Sequence, residues 1–99
     1  MTKQALIEEH KTVKATWSKL TVSNLHSFHN DFINLYDNII SEYSGDKEHS
    51  NFYHTRKIIE KMGNFNSVAK KNQEGEFSEI RGAAGAALRD LELLILKMA

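Results

Sequence analysis

Two of the five histidines, His26 and His29, stand three residues apart in a stretch with helical spacing, so they can share one helix face. Imidazole nitrogens bind zinc, and a catalytic zinc site takes three protein ligands. The third would have to come from a distant position such as His10 or His54. No HExxH or paired ExxH pattern is present. We therefore expect solvated or partly buried histidines, and neither a metal nor another cofactor.

Other catalytic patterns fail when they are tested residue by residue. A calcium loop beginning at Asp46 would need glycine at its sixth position and glutamate at its twelfth, which are Asn51 and Lys57. No serine lies in a GxSxG context, and the sequence contains no cysteine for a thiol nucleophile. We predict that the protein is not an enzyme.

Basic side chains concentrate in one segment, although the whole chain carries 13 basic and 13 acidic residues. Five of the basic residues, against a single glutamate, lie between positions 50 and 73. Mixed with aromatic groups on neighbouring helical turns, they predict a surface for an acidic protein partner or for a phosphate-bearing ligand. The candidate residues are Tyr53, His54, Arg56, Lys57, Lys61, Lys70 and Lys71.

The segment RGAAGAALRD, residues 81–90, has six consecutive small residues within a helical pattern. Gly82, Gly85 and Ala86 share one face, and each glycine costs about 1 kcal/mol relative to alanine in a helix interior. Close packing against another helix, within the chain or across a dimer, would offset this cost. A phosphate site is disfavoured because GxGxxG and Gly-Lys-Ser/Thr patterns are missing. A flexible or kinked helix is the remaining alternative.

Four consecutive apolar residues, 93–96, follow in the same predicted helix and point in nearly all directions around it. Either this helix is central in the fold, or a second face meets another subunit. We predict a homo-oligomer, most simply a dimer. The predicted packing or oligomer residues are Gly82, Gly85, Ala86, Leu93 and Leu96.

Apolar residues recur every three or four positions along most of the chain, as in amphipathic helices. Leu6 to Leu20 and Leu25 to Ile39 form two such stripes, and Gly45 can end the second helix. Between them, β-branched residues and a possible cap at Ser23 favour a break over one helix of about 40 residues.

Two further helices are predicted after the loop SGDKEHSN. The first carries apolar residues from Phe52 to Met62, with Ser50 or Asn51 as its cap. Gly63 can end it, although a further turn or two is possible. The last begins near Glu76 and extends to the end of the chain.

The 99 residues contain no proline and five glycines, which favours helices. We predict an all-α fold, a small up-and-down bundle of three to five helices in a single domain, residues 1–99. The N-terminus has no signal-peptide pattern, and LELLILKMA is too short to span a bilayer. We expect a soluble, cytoplasmic protein without membrane contact.

These features favour a small non-catalytic interaction protein, such as a regulator, inhibitor or adaptor. It would bind a protein partner and self-associate. The alternative is a nucleotide- or nucleic-acid-binding protein that uses the basic segment 53–71.

Overall fold

The computed structural model describes residues 2–67 and 74–98, and in these ranges the chain forms four α-helices and no strand. The predicted all-α bundle is confirmed. The helices are α1 (Lys3–Ser18), α2 (Leu25–Glu42), α3 (Ser50–Ser67) and α4 (Glu74–Leu96), with a 3₁₀ turn at Val22–Asn24. None of the described helices has the length and apolarity needed to cross a membrane.

Neighbouring helices run antiparallel, as the up-and-down arrangement requires. Short connections return α2 along α1 and α3 along α2. The start of α1 meets the end of α4, where the Lys3 ammonium donates to the carbonyls of Leu96 (3.4 Å) and Met98 (3.2 Å). A cation there complements the negative end of the helix dipole. The chain thus closes into a bundle in which α4 packs against both α1 and α3.

The core is built from the predicted apolar stripes. On α2 the residues Leu25, Phe28, Phe32, Leu35 and Ile39 are completely buried. The buried stripe of α4 consists of Ile80, Ala84, Ala87, Leu88, Leu91, Leu94 and Ile95. Because both stripes match the helical period, burying them orients each helix about its axis.

The predicted break between the first two helices is confirmed, but not through the predicted cap. The Asn24 side chain accepts from the Thr21 backbone N–H at 2.8 Å and donates to the Lys19 carbonyl at 3.2 Å. The Ser23 hydroxyl instead contacts the Thr21 hydroxyl at 2.9 Å. The turn is therefore held by an asparagine amide, which can donate and accept at once.

The ends of the other helices differ from the prediction by a few residues. Helix α2 ends at Glu42, before Gly45, and α4 begins at Glu74. At the start of α3 the capping side chain is His49, whose Nδ1 accepts from the Asn51 backbone N–H at 3.1 Å. The prediction that Ser50 or Asn51 caps this helix is wrong, because the imidazole nitrogen takes the place of a hydroxyl or amide oxygen.

Gly63 does not end α3, which continues to Ser67. A Cβ at Gly63 would lie 3.4 Å from His29 Cε1, which is an ordinary van der Waals distance. Packing against α2 extends the helix beyond a residue that alone would favour its end.

Gly85 provides the close approach between α1 and α4. The Trp17 indole lies directly over it, and a Cβ at this position would be 2.6 Å from Trp17 Cζ2. The indole Nε1 donates to the Arg81 carbonyl at 2.8 Å, and the Arg81 guanidinium lies 4.8 Å from the ring centroid. Because the hydrogen bond and the cation–π contact hold the ring in place, moving it aside would cost free energy.

We therefore predict that Gly85→Ala destabilises the fold by about 1–3 kcal/mol, because the added methyl group overlaps the indole. The matched variant Gly63→Ala should stabilise it by up to about 1 kcal/mol through the higher helix propensity of alanine. Urea unfolding of both variants measures the difference. Equal effects of the two substitutions would contradict the packing argument.

Candidate interaction site along α4

One face of α4 is exposed along much of its length. Gly82, Ala86, Arg89, Leu93 and Leu96 are all exposed, and their spacing alternates between four and three residues. This spacing keeps side chains on one stripe of a helix and is typical of helix–helix seams. We call these five residues the α4 seam.

The seam lies opposite the helix face that enters the core. Leu94 and Ile95 are buried, whereas Leu93 is 49 % and Leu96 is 56 % exposed. The four apolar residues thus divide between two faces. Folding buries one pair and leaves the other in contact with solvent.

The small residues divide in a similar way, and only Gly85 is packed against another helix within the chain. Gly85 makes the predicted contact with another helix of the same chain. Gly82 and Ala86 are exposed, and a Cβ at Gly82 would meet no other atom within 4 Å. At about 100° per residue they lie about 60° and about 100° around α4 from Gly85, on the solvent side of its contact with α1. Their role in an oligomer interface stays a prediction.

A groove of about 280 Å³ lies between α1 and α4, beside the seam. It is open to solvent, and Trp17 and Gly85 lie at its base. We call it the α1–α4 groove, and it is lined by His10, Lys14, Trp17, Gly82, Gly85, Ala86, Leu88, Arg89 and Glu92. Three seam residues are therefore also groove residues.

His10 forms the inner wall of the groove and is 4 % exposed. Its Nε2 donates to the Leu88 carbonyl at 2.7 Å, which joins α1 to α4 about two helical turns from the Trp17–Arg81 hydrogen bond. Among the described residues no hydrogen-bond partner is found for Nδ1. The sequence placed His10 in an apolar stripe, and its hydrogen bond to a helix carbonyl explains how an imidazole is accommodated there.

The rim of the groove is charged. Lys14 and Arg89 supply two cations and Glu92 one carboxylate, and all three side chains are exposed. Within the part of the chain that the structure describes, none of them forms an ion pair. They are therefore available to charges on another molecule.

The predicted basic residues of α3 lie on a separate surface. Tyr53, His54, Lys57 and Lys61 share the exposed face of this helix. Tyr53 is 49 % exposed, with the Lys57 ammonium 5.6 Å from its ring centroid and the His54 ring beside it. We call these four residues the α3 face. Lys70 and Lys71 lie outside the described residues.

Two of the predicted cations already have partners within the chain. The Arg56 guanidinium donates to the Tyr36 hydroxyl at 3.3 Å, a contact that raises the pKa of Arg56 above its usual value. Lys61 pairs with Glu79 of α4 at 3.5 Å, in an exposed ion pair. Exposed pairs contribute little to stability, so Lys61 can exchange this partner for another carboxylate.

The structure separates the histidines that the metal hypothesis would combine. His26 is exposed on α2, whereas His29 turns toward α3 and its Nε2 donates to the Ile59 carbonyl at 3.0 Å. His10 faces α4, and His54 lies on the exposed side of α3. In the described residues no group of three or more His, Cys, Asp or Glu side chains is arranged to hold a metal ion.

Comparison of the chain with protein-family models, curated proteins and solved structures finds no match. The function is therefore inferred from the geometry of the chain itself. Sequence analysis identified four of the five seam residues but missed Arg89, together with Lys14 and Glu92 on the groove rim. The alternating spacing from Gly82 to Leu96 was the available signal for Arg89. Nothing in the sequence pairs Lys14 with it, because they lie on different helices.

The environment of His29 predicts a pH-dependent stability. Burial lowers its pKa, the hydrogen bond to Ile59 acts in the opposite direction, and the nearby His26 lowers it further. The folded-state pKa of His29 lies below the unfolded value of 6.5. Between these two pKa values the unfolded chain therefore binds more protons than the folded chain. The contribution of His29 to the free energy of unfolding is complete above the unfolded-state pKa, and it is lost as the pH falls through the folded-state pKa.

Urea unfolding at about pH 7.5 and about pH 5.5 should show this loss. His29→Gln, whose amide can still donate to the Ile59 carbonyl, should reduce the difference between the two pH values. His54→Gln, at an exposed position, should leave it unchanged. A His29→Gln protein with the full pH dependence would contradict the assignment.

Proposed function

We propose that the protein is a small non-catalytic interaction protein, of the regulator, inhibitor or adaptor type, that forms a homodimer through the α4 seam. The observation that carries this proposal is the exposure of Leu93 and Leu96 on the same helix face as the α1–α4 groove. A binding role in the cytoplasm also fits the lack of cysteine.

The energetics of the seam favour burial against another protein surface. Complete burial of a leucine side chain contributes about 1.5–3 kcal/mol, in proportion to the apolar area removed from water. A specific interface buries about 800 Å² on each partner, more than two leucines provide. The groove enlarges the available surface because it adds residues of α1, including Trp17, to those of α4.

The α3 face supports the second part of the proposal, which is the binding of an acidic protein partner. Tyr53 provides apolar surface and Lys57 provides charge on adjacent turns of one helix, a combination suited to the rim of a protein interface. Since Lys61 is paired with an exposed carboxylate, a partner carboxylate can replace Glu79 there.

A nucleotide or nucleic acid is the alternative ligand for the α3 face. An exposed tyrosine next to a lysine can stack on a base and contact a phosphate. Glu60 on the exposed side of the same helix and the engagement of Arg56 by Tyr36 reduce the positive charge presented there. These two features favour a protein partner.

The dimer is tested by mass measurement. Light scattering at high micromolar concentration should give twice the chain mass for the wild type. The double variant Leu93→Glu/Leu96→Glu should give the monomer mass, because two carboxylates would have to be desolvated at the interface. Val22→Glu replaces an equally exposed apolar residue outside α4 and should remain dimeric. A strictly monomeric wild type would overturn this part of the proposal.

The α3 face is tested with two anionic probes, an oligoglutamate peptide and an oligothymidylate of equal charge. Fluorescence anisotropy should show binding of the peptide that weakens with added salt and with Lys57→Glu/Lys61→Glu. The same variant should retain the dimer mass. Tighter binding of the oligonucleotide than of the peptide would favour the nucleic-acid alternative instead.

A further inference from the structure

We infer that the two copies pair antiparallel along α4, with Leu93 and Leu96 of each copy inserted into the α1–α4 groove of the other. This inference rests on the proposed function and specifies its geometry. It commits the groove to one occupant, a second copy of this chain. Each copy then contributes side chains to the site on its partner.

The order of residue sizes along the seam carries the inference. The N-terminal part of the seam has the small residues Gly82 and Ala86, and the C-terminal part has Leu93 and Leu96. An antiparallel pair with its two-fold axis near Arg89 brings each large residue of one copy to the level of a small residue of the other. Such an interface is self-complementary, as two-fold symmetry requires.

The position of the groove agrees with this register. Gly82 and Ala86 of α4 line the groove. In the proposed register Leu96 of the second copy would lie opposite Gly82, and Leu93 of the second copy would lie opposite Ala86. Trp17 lies at the Gly82 end of the groove, so it would contact Leu96 of the second copy. The exposed leucines and the unfilled groove thus occupy corresponding places in the two molecules.

Charges of both signs meet on the rim in the same arrangement, because the two Arg89 side chains approach each other near the axis and Glu92 of each copy lies close to them. Glu92 of the second copy would lie within one helical turn of Arg89 and close to Lys14. These side chains have no ion pair within the described part of a single chain. Complementary charges of this kind contribute more to the choice of register than to affinity.

A parallel pair fits the same residues poorly. It would place Leu93 opposite Leu93 at one end and Gly82 opposite Gly82 at the other, which leaves the groove without an occupant. Large residues would meet large ones while small residues faced a gap, and unfilled space in an interface forfeits dispersion contacts.

Disulfide cross-linking distinguishes the registers, because the chain contains no cysteine of its own. Ala86→Cys and Leu93→Cys are prepared separately, mixed and oxidised under mild conditions. Only an antiparallel pair brings these positions within the Cα separation of about 4.4–6.8 Å that a disulfide needs. The mixed species should therefore predominate, and each variant oxidised alone should remain mostly uncross-linked. Val22→Cys mixed with Ala86→Cys serves as the control at an equally exposed position.

The outcomes separate the two levels of the proposal. A wild type that is dimeric by mass, with Leu93→Cys alone cross-linking efficiently, would overturn the antiparallel register and keep the dimer. A dimer in which neither pairing exceeds the Val22→Cys control would also overturn the register. A monomeric wild type would overturn the proposed function as well.

Discussion

The contact between Trp17 and Gly85 sets the geometry on which the exposed surface depends. No side chain larger than hydrogen fits beneath the indole, because a Cβ would lie 2.6 Å from Trp17 Cζ2. The indole Nε1 also requires an acceptor once it is half-buried, and the Arg81 carbonyl supplies it at 2.8 Å. These two requirements limit the distance between α1 and α4 at this level, and they agree with the rotation of α4 that burial of its apolar stripe favours.

The rotation of α4 has consequences along the whole helix. With Gly85 turned toward α1, the residues Leu91, Leu94 and Ile95 enter the core, and Leu93 and Leu96 remain outside. The buried hydrogen bond from His10 to the Leu88 carbonyl is a second contact between α1 and α4, and it is consistent with the same rotation of α4. The exposure of Leu93 and Leu96 therefore agrees with the buried apolar stripe of α4 and with both contacts between α1 and α4.

Charged side chains are concentrated on two surfaces, the α1–α4 groove and the α3 face, for which we propose different partners. Among the described residues the charges of both signs on the rim of the α1–α4 groove form no ion pair, which would suit the proposed second copy. The α3 face has cations and an exposed tyrosine, which suits an acidic partner of another kind. The Lys61–Glu79 ion pair joins the α3 face to α4. The proposed dimerisation through the seam would leave Tyr53 and Lys57 accessible.

Much of the fold followed from the sequence, because the apolar spacing of α2 and α4 has a helical period and burying such stripes is the dominant favourable term in folding. The break before Leu25 was also predictable. The histidine cap at His49 was not predicted, and the continuation of α3 past Gly63 to Ser67 was only one of the alternatives left open.

Local periodicity also identified Leu93 to Leu96 as surplus apolar surface. It assigned Leu93 and Leu96 to packing or an oligomer interface, and the structure shows both exposed while Leu94 and Ile95 are buried. It could not say whether the first pair would be covered within the chain, because that depends on contacts with helices distant in sequence. Nor could it bring Lys14 and Arg89 to one groove, since they are distant in the chain. The sequence by itself determined the helices and their apolar faces, and the tertiary structure decided which residues remain exposed together, because that depends on how one helix is rotated against another.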